Sequence, residues 1–476
     1  MADERGAALR HSRSLVDAPA ATLGWAPSAC TMTAMSMHEP TPADVAAAQR
    51  VLAWSLARLA DREAVLPPAA ATTLPGLSGR GIGIEAAIEL LLGVVLPTAV
   101  PPDHPRYLAF IPGTPTVASA IADMALPAAT VYGGSRLEAG LAADAEDAVI
   151  RWLADVAGFP DSAGGTFVSG GSIATLSALV AARGERYLTS SRQVIVAGAS
   201  AHSSVAAAAH VMGCECLAAP PADDYGRLTR ETLAVALDGR DADNVVAVVA
   251  TAGATNNGAI DDLAGVADLC GDRGIWLHVD GAYGGAALLG SRARPLFTGI
   301  ERADSFIVDP HKWLYAPFDC AAVLYRDAAA VRRALTQEAD YLDWLAAEGG
   351  DNPSDLAIHL TRRIRGVPLW VSLQAYGWDA YAEAVDCCFA IAAYAAEQVS
   401  RRPHLELVLD PALTVLLVRR CGWGSADYDA WSAQALQRGL AFAIPTRHAG
   451  ETVLRLCFVN PLTSRDDVDL VLDDLG

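Results

Sequence analysis

Residues 303–317 have the sequence ADSFIVDPHKWLYAP, in which a short apolar run is followed by a polar turn that contains Lys312. Lys312 is the only lysine among the 35 Lys and Arg residues of this 476-residue chain. Arginine can replace lysine as a charge, but it keeps its proton near neutral pH and cannot attack a carbonyl. The single lysine therefore indicates a nucleophilic amine at the end of a buried strand. Compositional bias is the alternative, and the neighbouring motifs decide between the two.

The composition indicates a large core and argues against several kinds of partner. Hydrophobic residues make up 52% of the chain, which is long enough for two or three domains. The net charge of −20 predicts neither a nucleic acid nor an anionic membrane surface as partner. Nine cysteines without zinc-ligand spacing predict no metal site. Without a secretory pattern at the start, they also predict reduced thiols in the cytoplasm.

The order of the predicted elements indicates the fold class. Between about residues 104 and 365, helical patterns alternate with short apolar strands. This alternation predicts an α/β fold with a mostly parallel sheet flanked by helices. A stretch around 342–353, rich in Gly, Asp and Asn, is predicted to be a mobile surface loop. The predicted organisation is a disordered leader (1–36), an N-terminal helical arm (37–115), a large domain (116–366) and a small C-terminal α+β domain (367–476).

Polar turns follow the predicted strands, where sites in open parallel sheets lie. Ser-Gly-Gly-Ser at 169–172 opens a helix, and its small residues would let backbone N–H groups approach an anion. His202 follows the next strand and could stack on a flat cofactor. Thr255 supplies a hydroxyl group in the turn after the predicted strand 245–251. Each motif has a plainer interpretation, such as a tight turn or a capping histidine.

Two further turns complete the set. Asp280 ends the apolar strand 276–279, and a carboxylate there needs a cationic or N–H partner. A protonated pyridine nitrogen would serve, although an arginine or a turn cap is the alternative. Lys312 follows the strand 305–308, and burial is expected to lower its pKa and allow imine formation. An anion cradle, a stacking ring, a carboxylate and an amine together predict pyridoxal 5′-phosphate as the cofactor.

The combined motifs resemble those of the group II pyridoxal-phosphate decarboxylases. The matching motifs are Ser-Gly-Gly-Ser, Ala-His-Ser-Ser, Thr-Ala-Gly-x-Thr, His-Val-Asp-x-Ala-Tyr-Gly-Gly and Asp-Pro-His-Lys-Trp. The resemblance covers roughly residues 40–476. It implies the fold-type I, aminotransferase-like architecture. It also implies a homodimer whose active sites are shared between the subunits.

The resemblance implies a role for each matching residue. Lys312 matches the Schiff-base lysine, Asp280 the partner of the pyridine nitrogen, and His202 the stacking histidine. Tyr341 matches a catalytic tyrosine on a mobile loop that reaches the partner's site. The implied cofactor-binding set is Gly170, Gly171, Ser172, His202, Thr255, Asp280, Ala282, His311 and Lys312.

The resemblance also places a substrate pocket. Phe110 and Ile111 map to its wall and favour an aromatic or apolar side chain, and Tyr132 would contribute from the neighbouring subunit. Gly113 replaces a threonine of the aromatic-acid enzymes, so glutamate and 2,4-diaminobutyrate stay open as substrates. Asp309 receives no phosphate contact, because a carboxylate would repel a dianion.

The implied reaction is the decarboxylation of an L-amino acid to its amine and carbon dioxide, a carbon–carbon lyase activity. The substrate amine displaces Lys312, and Tyr341 is the candidate for protonating the resulting carbanion. An oxygen-consuming aldehyde synthase of the same family is the nearest alternative, which the presence of Tyr341 disfavours. A non-catalytic paralogue is a further alternative, which Lys312, Asp280 and His202 disfavour.

Overall fold

A computed structural model describes residues 37, 39–62, 66, 73–185, 193–337 and 351–476. The predicted leader 1–36, most of the predicted mobile loop and Tyr341 lie outside these described residues. The chain divides into two compact units. The smaller comprises Met1–Ala57 and Thr73–Leu96, and the larger comprises Arg58–Thr72 and Pro97–Gly476.

The smaller unit is helical. Most of the helix Pro42–Ala60 belongs to it, and Pro42 occupies the first turn, where a missing N–H costs nothing. A second helix, Ile84–Leu90, continues as the π-helical turn Leu91–Val95. Arg50 and Glu89 form an ion pair between the two helices.

The larger unit contains a seven-stranded sheet with the spatial order β1-β7-β6-β5-β4-β2-β3. Six strands are parallel to one another, and β7 runs antiparallel to both of its neighbours. This mostly parallel sheet with flanking helices confirms the predicted α/β class. The strands are β1 (Gly164–Val168), β2 (Val194–Ala197), β3 (Glu215–Ala218), β4 (Val245–Thr251), β5 (Trp276–Asp280), β6 (Ser305–Val308) and β7 (Ala321–Tyr325).

Burial explains why the centre of this sheet was predictable. All seven residues of β4 are buried, as expected for a parallel strand that is covered by helices on both faces. Each fully buried valine there contributes about 1.5–3 kcal/mol. The main helices of the larger unit are Val117–Ala129, Leu141–Ala157, Gly171–Glu185, Ser203–Met212, Leu263–Arg273, Ala328–Leu335 and Val367–Arg401.

A second, four-stranded sheet lies in the C-terminal part of the larger unit, in the order β10-β11-β9-β8. All its pairings are antiparallel. The helices Ser425–Gln437 and Arg465–Asp473 accompany it. The strands are β8 (Leu405–Leu407), β9 (Val415–Arg420), β10 (Ile444–His448) and β11 (Glu451–Cys457).

A buried ion pair fixes the segment that leads into the long helix Val367–Arg401. The side chains of Arg362 and Glu146 are 0% and 4% exposed and bind each other. The second oxygen of Glu146 accepts hydrogen bonds from the backbone N–H groups of Arg365 and Gly366, each at 2.7 Å. Arg365 in turn binds Asp319 at 2.9 Å. The buried pair therefore positions the loop that carries Asp319.

No helix in the described part of the chain is long and apolar enough to cross a membrane. Within the same ranges, no group of three or more His, Cys, Asp or Glu side chains is arranged to hold a metal ion.

Candidate active site

A cavity of about 400 Å³ lies at the carboxyl ends of β1, β2, β4, β5 and β6. Its size is within the range of small-molecule sites. The sheet brings the predicted turns together here because parallel strands end at one edge. All nine predicted cofactor-binding residues line the cavity: Gly170, Gly171, Ser172, His202, Thr255, Asp280, Ala282, His311 and Lys312.

Lys312 reaches the cavity from a short helical turn, Pro310–Trp313, directly after β6. Its Nζ lies 2.9 Å from Oδ2 of Asp309, whose side chain is 2% exposed. Burial lowers the pKa of Lys312, but the charge and hydrogen bond of Asp309 and the charge of Asp280 outweigh it. The net effect raises the pKa above its ordinary value. The expected lowering is therefore wrong, because a buried cation that has carboxylate partners keeps its proton.

Asp280 is the last residue of β5 and lies between β4 and β6 in the sheet. It is 6% exposed, and its Oδ1 accepts a hydrogen bond from Ala282 N at 3.1 Å. Burial raises the pKa of Asp280, and the charge of Lys312 opposes that effect. A cation supplied to this carboxylate would offset the cost of burial, and a protonated pyridine nitrogen is such a cation.

Two histidines enter the cavity with their rings fixed through Nδ1. The Nδ1 of His202 accepts a hydrogen bond from Ser204 N at 3.2 Å, so His202 caps the helix Ser203–Met212. His202 therefore both caps this helix and lines the cavity. The Nδ1 of His311 accepts from Cys320 N at 3.1 Å, and burial lowers the pKa of His311. The neutral His311 ring then carries its proton on Nε2.

The turn at 169–172 leaves backbone exposed to the cavity. The helix Gly171–Glu185 begins there, and the first N–H groups of a helix have no intrahelical acceptor and attract anions. A Cβ atom at Gly171 would lie 2.9 Å from Oδ2 of Asp309 and 3.3 Å from Cβ of Ala282. Only glycine keeps this approach open. The residues present therefore fit pyridoxal phosphate: N–H groups for the phosphate, Asp280 for the ring nitrogen and Lys312 for the aldehyde.

Comparison with known proteins agrees with this chemistry. Residues 93–419 match the family described as the pyridoxal-dependent decarboxylase conserved domain. The chain belongs to this family. Pyridoxal-dependent decarboxylases are carboxy-lyases, so the chain is an enzyme of the group II class that uses pyridoxal phosphate.

Two curated relatives of this decarboxylase show how widely the family varies in substrate. An aromatic-L-amino-acid decarboxylase of Bacillus atrophaeus is 32% identical over 380 residues, covering 77% of this chain and 79% of the relative. An L-2,4-diaminobutyrate decarboxylase of Rhizobium meliloti is 33% identical over 412 residues, covering 83% and 82%. The two identities are nearly equal, so similarity alone does not select a substrate.

A solved structure shows that the fold is shared. The crystal structure of Oryza sativa TDC with PLP and tryptamine matches this decarboxylase with a TM-score of 0.81 at 23% identity. The match covers 92% of this chain and 98% of that chain. The fold-type I architecture that the motifs implied is therefore confirmed.

The three predicted substrate residues do not line the cavity within one chain. Phe110 is 55% exposed, whereas Ile111 is 9% exposed and packs in the main hydrophobic core. The hydroxyl of Tyr132 donates to the carbonyl oxygen of Leu360 at 3.2 Å. Their roles in substrate binding stay predictions.

The structure shows why position 113 has a glycine where the aromatic-acid enzymes have a threonine. A Cβ atom there would lie 2.3 Å from the carbonyl oxygen of His311. No side chain fits that gap, so the threonine of the aromatic-acid enzymes could not be accommodated without a shift of the backbone. Gly113 therefore allows a close approach of two chain segments, and its bearing on the substrate stays a prediction.

Three residues near the cavity were missed by sequence reasoning. Phe318 and Asp319 line it directly, and the Phe318 ring lies 5.1 Å from that of His311. Arg455 comes from β11 in the second sheet and is 3% exposed. An arginine within the otherwise apolar run 453–457 (VLRLC) was the signal that could have identified it.

Arg455 holds the backbone next to the cavity. Its Nε donates to the carbonyl oxygen of Thr255 at 2.8 Å, and its Nη1 donates to that of Phe110 at 2.7 Å. Among the described residues, its buried Nη2 has no hydrogen-bond partner. Burial raises the pKa of the Cys457 thiol to about 11, although the charges of Arg455 and Lys312 lower it.

Proposed function

We propose that this enzyme decarboxylates an L-amino acid with an aromatic or apolar side chain, producing the amine and carbon dioxide. The observation that carries the proposal is the convergence of Lys312, Asp280 and His202 on one cavity with the turn at 169–172. Bound pyridoxal phosphate supplies the electron sink for the bond that breaks. The protein supplies position, charge and proton control.

Each of the three residues has a separate task. Lys312 offers the only side-chain amine that can carry the cofactor and exchange with the substrate amine. Asp280 would hold a proton on the ring nitrogen of the cofactor by supplying a buried negative charge. The ring of His202, held by its hydrogen bond from Ser204 N, lines the cavity and would limit the access of water to a bound cofactor.

Arg455 is our candidate for binding the substrate carboxylate. Among the described residues its buried Nη2 has no hydrogen-bond partner, and its Nε donates to the carbonyl oxygen of Thr255, a residue that lines the cavity. A guanidinium with a free N–H suits a carboxylate better than any neutral group. By fixing the carboxylate, Arg455 would orient the bond that breaks relative to Lys312.

Phe318 and Phe110 favour an aromatic or apolar substrate. Phe318 lines the cavity while remaining 54% exposed, so it offers an apolar face to a substrate side chain. Phe110 is anchored to Arg455 through its carbonyl oxygen. The aromatic-L-amino-acid relative supports this choice, whereas the 2,4-diaminobutyrate relative supports the alternative; glutamate also stays open.

A panel of twenty L-amino acids with 2,4-diaminobutyrate tests the substrate class. Carbon dioxide release should give the highest kcat/KM for an aromatic acid. Phe318→Ala should lower that value while leaving cofactor absorbance unchanged. If 2,4-diaminobutyrate or glutamate gives the highest value, the aromatic assignment is wrong although the decarboxylase assignment stands.

Tyr341 is our candidate for protonating the substrate carbanion, on the resemblance alone. Tyr341→Phe should retain cofactor binding and lose amine formation, or divert the reaction to the aldehyde with peroxide. Amine production at the parental rate would remove this role. Peroxide and aldehyde from the parent enzyme would instead favour the oxygen-consuming alternative.

We also propose a cytoplasmic homodimer with shared active sites. The helix Pro42–Ala60 exposes Val45, Leu52 and Leu56 at spacings that place them on one face, which suits contact with a second copy. Coexpression of Lys312→Arg with Tyr341→Phe tests the sharing. Hybrid dimers regain activity if Tyr341 serves the partner's site, and no recovery would contradict the proposal.

A further inference from the structure

Asp309 is the closest charged neighbour of Lys312, and its position is fixed on both sides. Its backbone N–H donates to the carbonyl oxygen of Ala282 at 3.0 Å, and its carbonyl oxygen accepts from Lys312 N at 2.9 Å. These two bonds hold the Asp309 backbone in place beside Lys312. Its Oδ2 binds Nζ at 2.9 Å, whereas its buried Oδ1 has no partner within the described part of the chain.

We propose that Asp309 is a positioning residue that holds the Lys312 side chain as an ammonium ion and thereby limits the rate at which this amine bonds to the cofactor. The inference rests on the proposed role of Lys312. It assigns a purpose to a carboxylate beside the anion cradle, where a negative charge works against phosphate binding.

The other groups around Lys312 contribute less to keeping its side chain protonated. The thiol of Cys457, with its pKa raised to about 11, is neutral near pH 7. Burial lowers the pKa of His311, so its ring is neutral there as well. Asp280 also raises the pKa of Lys312, but its charge contributes less than the charge and the hydrogen bond of Asp309. Asp309 is the carboxylate that contacts the amine directly, at 2.9 Å.

The protonation of Lys312 matters because only an unprotonated amine can form a bond with the aldehyde carbon of the cofactor. An ammonium ion has no lone pair, so Nζ must first release a proton to water before it attacks the aldehyde carbon. A carbon–nitrogen double bond then forms, the aldehyde oxygen leaves as water, and the nitrogen regains a proton. Below the raised pKa of Lys312, the amine is available only in the small unprotonated fraction. Removing the Asp309 charge should enlarge that fraction and shift the pH dependence of capture to lower pH.

Because Lys312 is the only lysine, its ionisation can be measured directly. Full-length protein is freed of cofactor with hydroxylamine and dialysis, and is then labelled with acetic anhydride at a series of pH values. Modification is read from the tryptic peptide Ala303–Arg326, which stays intact only when Lys312 is blocked. The parent should show half-labelling above the pH of an ordinary lysine. Asp309→Asn should shift that midpoint down by about 1–3 pH units.

Asp319→Asn is the matched control, because Asp319 lines the same cavity but pairs with Arg365 at 2.9 Å. It should leave the midpoint unchanged. A parental midpoint at or below that of an ordinary lysine would overturn the inference, whether or not Asp309→Asn folds. Equal shifts in both variants would also overturn it, since they would indicate a general charge effect.

The rate of cofactor capture gives a second test. Growth of visible absorbance after addition of pyridoxal phosphate at pH 7 should be about tenfold or more faster in Asp309→Asn. Pyridoxamine phosphate lacks the aldehyde, so its affinity measures the charge effect on phosphate binding alone. Slower capture by Asp309→Asn would contradict the role of Asp309. So would a gain in the rate of capture that is no larger than the gain in affinity for pyridoxamine phosphate.

Bond formation by the parent enzyme distinguishes the role of Lys312 from that of Asp309. If the parent never forms a bond between Lys312 and pyridoxal phosphate, the proposed function is wrong. If the parent forms the bond but Asp309→Asn shows the parental pH profile, only the role of Asp309 is wrong.

Discussion

Replacing Arg455 by glutamine tests whether a buried guanidinium binds the substrate carboxylate. Arg455 donates to the carbonyl oxygens of Thr255 and Phe110 and keeps Nη2 without a partner among the described residues. A hydrogen bond to a charged group contributes about 1.5–3 kcal/mol, which corresponds to about 10- to 150-fold in kcat/KM. Glutamine can retain one of the two backbone contacts but supplies no charge.

The assay is carbon dioxide release at several substrate concentrations, together with the visible absorbance of the bound cofactor. Arg455→Gln should lose about 10- to 150-fold in kcat/KM while absorbance per subunit stays at the parental level. Arg419→Gln is the matched control, because Arg419 lies on β9 of the same sheet and pairs with Glu406 and Glu451 near solvent. A kcat/KM within twofold of the parent for a folded Arg455→Gln would show that Arg455 does not bind the substrate carboxylate.

A possible loss of stability needs a separate measurement. The carbonyl group that glutamine leaves unpaired costs about 1–3 kcal/mol of unfolding free energy. Phe110 adds to that cost, because its φ of 51° lies in the left-handed region and needs support from its neighbours. Arg455→Lys keeps the charge with fewer donors. If its kcat/KM exceeds that of Arg455→Gln at equal stability, the charge itself contributes to catalysis.

Two further predictions concern stability. Arg362→Met leaves the carboxylate of Glu146 buried without its ion pair, so the free energy of unfolding in urea should fall by about 3–5 kcal/mol. Arg401→Met breaks an exposed pair and should change this free energy by less than about 1 kcal/mol. Equal losses in the two variants would contradict the prediction. Burial lowers the pKa of His278 to about 3. Between about pH 6.5 and 3 the unfolded state therefore binds more protons than the folded state, so the free energy of unfolding decreases as the pH is lowered through that window. His278→Gln should flatten this decline, by about 2 kcal/mol between pH 7 and 5, and an unchanged pH dependence of unfolding would show that His278 does not cause it.

The sequence predicted most of the large sheet because its strands are short apolar runs between helical patterns. The strand β3 was missed, because Glu215–Ala218 includes a charged residue and lies at the sheet edge, where burial imposes no apolar pattern. The cofactor-binding residues were predictable for a related reason. They occupy turns directly after strands that are parallel, so one sheet edge brings them together.

Arg455 and the ionisation of Lys312 show where sequence reasoning stops. Arg455 comes from a strand of the other sheet, so no local motif connects it to the cavity. For Lys312, burial and a nearby carboxylate shift the pKa in opposite directions. The 2.9 Å contact with Asp309 and the charge of Asp280 decide the sign, and a sequence does not supply these distances.

Borohydride reduction in the presence of pyridoxal phosphate tests whether Lys312 carries the cofactor. Reduction fixes the cofactor on the amine that carries it and blocks tryptic cleavage at that lysine. We predict an intact peptide Ala303–Arg326 with the mass of one reduced cofactor, and its absence in Lys312→Arg. Complete cleavage after Lys312, with no cofactor mass on this peptide, would contradict the assignment of Lys312 as the cofactor-bearing residue.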